Sequence, residues 1–158
     1  MGITVRPVVS KKDLKDFIRL PWKIYRGSKC WVPPLIKDMK NILDSGKSPQ
    51  QNREYRAFLA LKDGEPAGRI YAGIDSRLNA KKHARMGHFS LFECIDCSDV
   101  SAALFDSAAA WFSKRGINRM FGPVSPHGAD DDQYKGLLID AFDRPPVLMN
   151  SYNPSYYR

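Results

Sequence analysis

The chain lacks the features that would let covalent cross-links or a lipid span carry its fold. Its three cysteines, Cys30, Cys94 and Cys97, cannot all pair within one chain, and 158 residues are enough for a core that needs no disulfide framework. They read as reduced thiols. No apolar run reaches the roughly 18 residues of a membrane span, and residues 1–9 lack the apolar stretch of a signal peptide. These absences lead us to expect a cytoplasmic protein with no membrane partner. No repeat, linker or low-complexity tract divides the sequence, so one domain is expected. With 43% hydrophobic and 27% charged residues, the composition is that of a folded chain.

Acidic residues are scarce in the first third. Residues 1–56 carry 13 Lys and Arg against 5 Asp and Glu, which by itself supplies the net charge of +8. Any field that attracts anions therefore originates there. A solvated helical surface is the ordinary meaning of such charge; anionic small molecules, nucleic acid and acidic partners are the alternatives. Trp22, Tyr25 and Trp31 lie among Lys23, Arg26 and Lys29, a mixture that can stack on and neutralise nucleic acid. Trp22 and Tyr25 also belong to an apolar helix face, so they are read as core, and nucleic acid is not the expected partner.

The hydrophobic periods outline the elements. Residues 3–8 alternate as a short strand, and Ser10 with Asp13 forms a capping-box start for a helix whose apolar face is Leu14, Phe17, Ile18, Trp22 and Tyr25. Pro21 should kink or end it. A second helix comes next, with Pro34 in its first turn, Leu35, Ile36, Met39, Ile42 and Leu43 as its stripe, and Gly46 as its stop. Residues 45–53 are polar and read as a mobile loop. Residues 55–61 and 67–74 form a hairpin about Asp63-Gly64. Residues 79–85 read as a basic loop, and residues 87–95 as a central strand. Ser98 or Asp99 caps a helix carrying Leu104, Ala108, Trp111 and Phe112. Residues 117–124 resume extended structure, 125–135 form a loop, and 136–142 are a last short apolar segment.

This order, together with Trp31-Val32-Pro33-Pro34, Phe92-Glu93-Cys94, Gly122-Pro123, Gly136-Leu137-Leu138, Phe142-Asp143 with Pro145-Pro146, and Tyr152-Asn153-Pro154 with Tyr156-Tyr157, resembles a bacterial family of GNAT-like N-acetyltransferase-fold proteins of poorly defined function. The resemblance implies an α/β fold of the acyl-CoA N-acyltransferase type, a mostly antiparallel mixed sheet flanked by helices. Members continue past Asn-Pro-x-Tyr-Tyr into a further helix and strands, so it also implies that this single domain is completed by a further segment or by another copy in a homo-oligomer.

It implies an acyl-CoA, such as acetyl-CoA, as cofactor and a small amine as acceptor. The cofactor would be held at Phe92, Glu93, Cys94 and Ser98, where residues 89–93 part from a parallel strand at 118–123. Glu93 would be the base, since a carboxylate in a half-apolar cleft is pushed toward neutrality. Tyr156 or Tyr157 would protonate the leaving thiolate. Against activity stands the turn Ile95-Asp96-Cys97-Ser98-Asp99: GNAT enzymes place glycines and bare amides there for the pyrophosphate, whereas this turn has no glycine and two carboxylates. A catalytically silent binding or assembly module is the alternative. Cys94-x-x-Cys97 with His83, His88 or His127 offers too few ligands of the right spacing for zinc, and the Asp130–Asp132 run reads as a solvated acidic loop.

Overall fold

The computed structural model of the chain describes residues 2–44, 53–127, 133–147 and 150–157. Five strands form one sheet in the order β1 (Ile3–Pro7), β2 (Arg53–Lys62), β3 (Glu65–Asp75), β4 (Met86–Cys94), β5 (Arg119–Phe121). The first three pairings are antiparallel and β4 with β5 is parallel. The β2–β3 connection is a two-residue turn in which Asp63 and Gly64 both take positive φ (53° and 85°), the combination that matches the twist of a hairpin. In this sheet β3 is the middle strand, and β4, expected at the centre, lies one place away with a neighbour on each side.

Helices cover both faces, and alternate strand residues address them. Ala57, Leu59 and Tyr71 pack with Phe17, Ile18 and Met39 from α1 (Lys11–Ile24) and α2 (Ile36–Ile42). Phe58, Ala60, Ile70 and Ala72 pack with Val100, Leu104 and Phe112 from α4 (Ser98–Ser113). Leu59, Ile70, Val100 and Leu104 are fully buried, each contributing about 1.5–3 kcal/mol of hydrophobic stabilisation. Gly68 lets α4 approach β3: a Cβ there would stand 2.7 Å from Leu104 Cδ1 and 2.9 Å from Val100 Cγ1.

Several local expectations change in three dimensions. The Ser10–Asp13 capping box forms, but α1 runs through Pro21 to Ile24 without ending there. Pro34 precedes α2, whose N-cap is Leu35, and Leu35 is 70% exposed and stands outside the buried stripe. The expected loop at 79–85 begins within a further helix, α3 (Ser76–Lys82), because the Asp75 side chain accepts from Leu78 N–H and caps it. Neither Ser98 nor Asp99 caps α4; its N-cap residue is Cys97. Residues 136–142 form no strand; beside them lies an isolated bridge of Lys135 with Asn150, and Ile139 is 75% exposed. A 3-10 helix, Ser155–Tyr157, ends the described chain. Of the loop expected at 45–53, Arg53 opens β2, and residues 45–52, the Gly46 stop and Asp130–Asp132 lie outside the described residues. Among the described residues no helix is long and apolar enough to cross a membrane.

Candidate active site

The site is built where β4 changes step. Leu91 has φ 50°, and the register shifts between Arg69↔Glu93 and Tyr71↔Ser90, so Leu91 and Phe92 together oppose Ile70. Such a bulge inverts the alternation beyond it. Had strict alternation continued from Ser90, Glu93 would face α4; the bulge turns it instead toward α1 beside Arg69, and Cys94 joins the α4 core.

The parallel pairing of β4 with β5 lies at Met86↔Arg119 to His88↔Phe121, on the three residues that precede the 89–93 stretch the sequence suggested. One more bond, Val124 N–H to Phe89 O at 3.1 Å, closes it, and the chains then part. Gly122 permits that contact, since a Cβ there would be 2.5 Å from Phe89 O.

Glu93 sits in a buried polar cluster, its side chain only 13% exposed. Tyr25 O–H donates to Glu93 Oε2 at 2.7 Å, and Tyr157 O–H lies 3.4 Å from the same oxygen. Arg69, 3% exposed, holds Nη2 4.0 Å from Glu93 Oε1. Burial pushes the Glu93 carboxyl up to about 7; Arg69, then the Tyr25 and Tyr157 hydrogen bonds, act in the opposite direction. Burial, reinforced by the neighbouring Glu93 carboxylate, likewise raises the Tyr25 and Tyr157 phenols far above their ordinary value.

Pro21 explains how Arg69 is anchored. A proline inside a helix has no N–H for the carbonyl four residues earlier. That carbonyl belongs to Phe17, and Arg69 Nη1 donates to it at 2.8 Å. The guanidinium also lies 5.1 Å from the centroid of the Phe17 ring. An irregularity that looked like a helix stop is thus the acceptor that fixes a buried cation beside Glu93.

The tail closes the other side. Tyr157 O–H accepts from Cys94 N–H at 2.6 Å, and Tyr156 O–H donates to Cys94 O at 2.7 Å. Tyr25 O–H is also 3.2 Å from Tyr152 O, and its ring stacks on Trp31 at 4.8 Å. Asn153 ties down the segment, accepting from Leu138 N–H at 2.6 Å.

Two cavities meet at the parting strands. One of about 340 Å³ lies on the α4 side against Phe89, Phe92, Cys94, Ser98, Phe105 and Tyr156. The other, about 120 Å³, lies on the α1–α2 side and contains Arg69, Glu93, Trp31 and Pro34. Phe92, Pro123, Leu137 and Tyr157 line both, so they form the partition. The structure therefore brings Phe92, Cys94, Ser98 and Tyr156 together on one side, and puts Glu93 on the other. A larger hollow of about 540 Å³ between the start of α1 and β2 contains none of these residues.

At the α4 N-terminus Asp96 and Asp99 are exposed and Cys97 lies between them. Lys62 Nζ is 3.4 Å from Cys97 Sγ. The Val100 amide first, then Lys62 and the Asp99 amide, hold the Cys97 thiol below its ordinary value, whereas burial pushes Cys94 up to about 12. Among the described residues no three His, Cys, Asp or Glu side chains converge as a metal site.

Sequence reasoning missed Arg69 and the polar role of Tyr25. The available signal was a lone arginine in an otherwise apolar strand, since an unpaired charge is seldom buried. Tyr25 carried no such mark, because its ring does share the apolar face of α1.

The protein YghO of Escherichia coli (strain K12) is 35% identical over 153 residues, 97% of this chain and 38% of that protein. A bacterial ceramide synthase of Caulobacter vibrioides (strain NA1000 / CB15N) is 31% identical over 156 residues, 98% of this chain and 40% of that protein. The chain thus spans about two-fifths of the length of these curated relatives. Among solved structures, a tandem GNAT protein from the clavulanic acid biosynthesis pathway superposes with a TM-score of 0.56 at 13% identity, covering 72% of this chain and 34% of that one. The acetyltransferase AAC(6')-Iy, solved with a CoA-containing bisubstrate analogue, gives 0.53 at 16% identity, covering 82% and 84%. No family model matches the chain. The architecture is the GNAT acetyltransferase fold.

Proposed function

We propose that this GNAT-fold chain carries the catalytic centre of an acyl-CoA-dependent N-acyltransferase. The observation that carries the reading is the pair of cavities on opposite faces of the sheet, separated only by Phe92, Pro123, Leu137 and Tyr157, with an ionisable carboxyl in the smaller one. A thioester arm fits the larger, aromatic-lined side, and an amine fits beside Glu93. The shared fold with AAC(6')-Iy, solved with a CoA-containing bisubstrate analogue, and the similarity to a protein named for making ceramide, itself an amide, support N-acyl transfer.

A bound acyl-CoA supplies an activated acyl group and a thiolate as leaving group. Glu93, held at about 7, is half-ionised near neutral pH and so both takes a proton from an ammonium and releases it readily. Arg69 and Tyr25 fix the carboxylate, leaving it to face the amine. With an acyl-CoA bound there, Glu93, having passed its first proton to solvent, would take the second proton that the acylated nitrogen sheds, while Tyr156 at the edge of the larger cavity would leave its hydrogen bond to the Cys94 carbonyl, give its proton to the departing sulfur and recover one from solvent. Burial pushes its phenol up to about 12, so it holds that proton at neutral pH.

A second reading, a silent GNAT-fold binding or assembly module, draws on two observations. Asp96 in the turn before α4 and Asp99 in its first helical turn stand where a pyrophosphate would be held, and Tyr157 already occupies the Cys94 amide. Calorimetry with acetyl-CoA, a longer acyl-CoA and free CoA separates the two. Micromolar binding, with Glu93→Gln retaining affinity and losing turnover, supports the enzyme. No heat with any of the three removes it.

A further inference from the structure

The loop between α1 and α2 displays apolar surface that the fold does not bury. Val32 is 66% and Leu35 70% exposed, and Pro33 between them is also exposed. The loop is held in this shape. Trp31 stacks on Tyr25 and meets Trp22 edge-on at 5.2 Å, and Ser28 Oγ accepts from the amides of Cys30 and Trp31 at 3.3 and 3.2 Å. The consecutive prolines Pro33 and Pro34 stiffen the approach to α2. Exposed Arg26 and Lys29 precede the apolar residues and exposed Lys37 and Lys40 lie beyond them, against Asp38 as the one exposed acid between Arg26 and Lys40. Trp31, next to the exposed residues, and Pro34, between two of them, line the cavity that holds Glu93.

We propose that this loop is a docking surface for an anionic lipid bilayer, with Val32, Pro33 and Leu35 entering the interface and the surrounding cations lying against the headgroups. Exposed apolar residues flanked along the chain by long, exposed basic side chains suit such an interface, because the apolar groups leave water while the charges stay at headgroup level. The same cations would oppose a second copy of this surface, which is why a bilayer is preferred over self-association. Docking of this kind needs no spanning segment, so it is compatible with the absence of one among the described residues. It is independent of acyl transfer and is measured without acyl-CoA.

The test is sedimentation of the full chain with vesicles of phosphatidylglycerol and phosphatidylcholine in equal parts, against phosphatidylcholine alone. The wild-type chain should partition to the anionic vesicles, and raising the salt to roughly 1 M, where screening reaches about 3 Å, should release it. Val32→Asp with Leu35→Asp should weaken partitioning about tenfold or more. Arg26→Glu with Lys29→Glu is the second variant, kept for the case in which the first unfolds, and should weaken it similarly. Val9→Asp, at an apolar residue 75% exposed in the connection before α1, should leave it unchanged. Failure of the wild type to sediment with anionic vesicles would overturn the proposal, as would equal binding by correctly folded loop variants. A concentration-dependent dimer abolished by the same loop variants, without vesicle binding, would assign the surface to a second copy instead.

Discussion

Glu93→Gln offers the sharpest test of the buried cluster, because it keeps the side-chain shape and removes the titration. A carboxyl held at about 7 in place of the ordinary 4.5 binds its proton more tightly in the folded chain by about 3 kcal/mol. Since the folded value is the higher one, the folded chain holds more protons than the unfolded between those two pH values. The contribution of Glu93 is therefore most favourable below about pH 4.5 and is lost as pH rises through 7. The wild type alone would hide this. Buried His88, lowered to about 4 by desolvation from its ordinary 6.5, works in the opposite sense over an overlapping window, adding stability as pH rises from 4 to 6.5. Comparing wild type with Glu93→Gln cancels His88 and also cancels any constant cost of the altered Arg69 contact. Urea unfolding of both at pH 5 and pH 8 is the assay. The variant should gain on the wild type by up to about 3 kcal/mol between the two pH values, or about 1.5 M in urea midpoint for a slope near 2 kcal/mol/M. A difference that is the same at both pH values would refute the buried, proton-binding carboxyl and with it the poised base.

The remaining predictions rest on the same contacts. Tyr25→Phe removes a hydrogen bond that lowers Glu93, so the rising limb of the pH–rate profile should move to higher pH; an unmoved limb would detach Tyr25 from the base. Iodoacetamide near neutral pH should label Cys97 before Cys94, as read by peptide mass spectrometry, since one thiol is lowered beside Lys62 and the other is 2% exposed and raised to about 12. Gly68→Ala should cost about 1–3 kcal/mol in urea unfolding, because the added methyl meets Leu104 and Val100 well inside contact distance.

Local signals made most of the elements legible. The Ser10–Asp13 capping box, the Asp63-Gly64 turn and the Leu104, Ala108, Trp111 and Phe112 face each state their structure in a few adjacent residues, and each forms. The 79–85 loop gave way to α3 for a local reason, the Asp75 cap, whereas at Pro21 a partner distant in sequence overrides the local preference. Pro21 does not stop α1, because Arg69, 48 positions later in the chain, supplies the donor that the freed Phe17 carbonyl needs.

The sequence by itself determined the covering helices, the hairpin and the placing of Glu93 at the end of an apolar strand, since these depend on period, turn chemistry and capping over short spans. Only the tertiary structure decided which way Glu93 faces. That direction depends on one extra residue at Leu91, and a bulge leaves no compositional trace because any residue that tolerates its backbone angles can occupy it. The same holds for the tyrosines that meet at this carboxyl. Tyr25 and Tyr157 are 132 positions apart in the chain and become neighbours only when α1 and the tail close on the same end of β4.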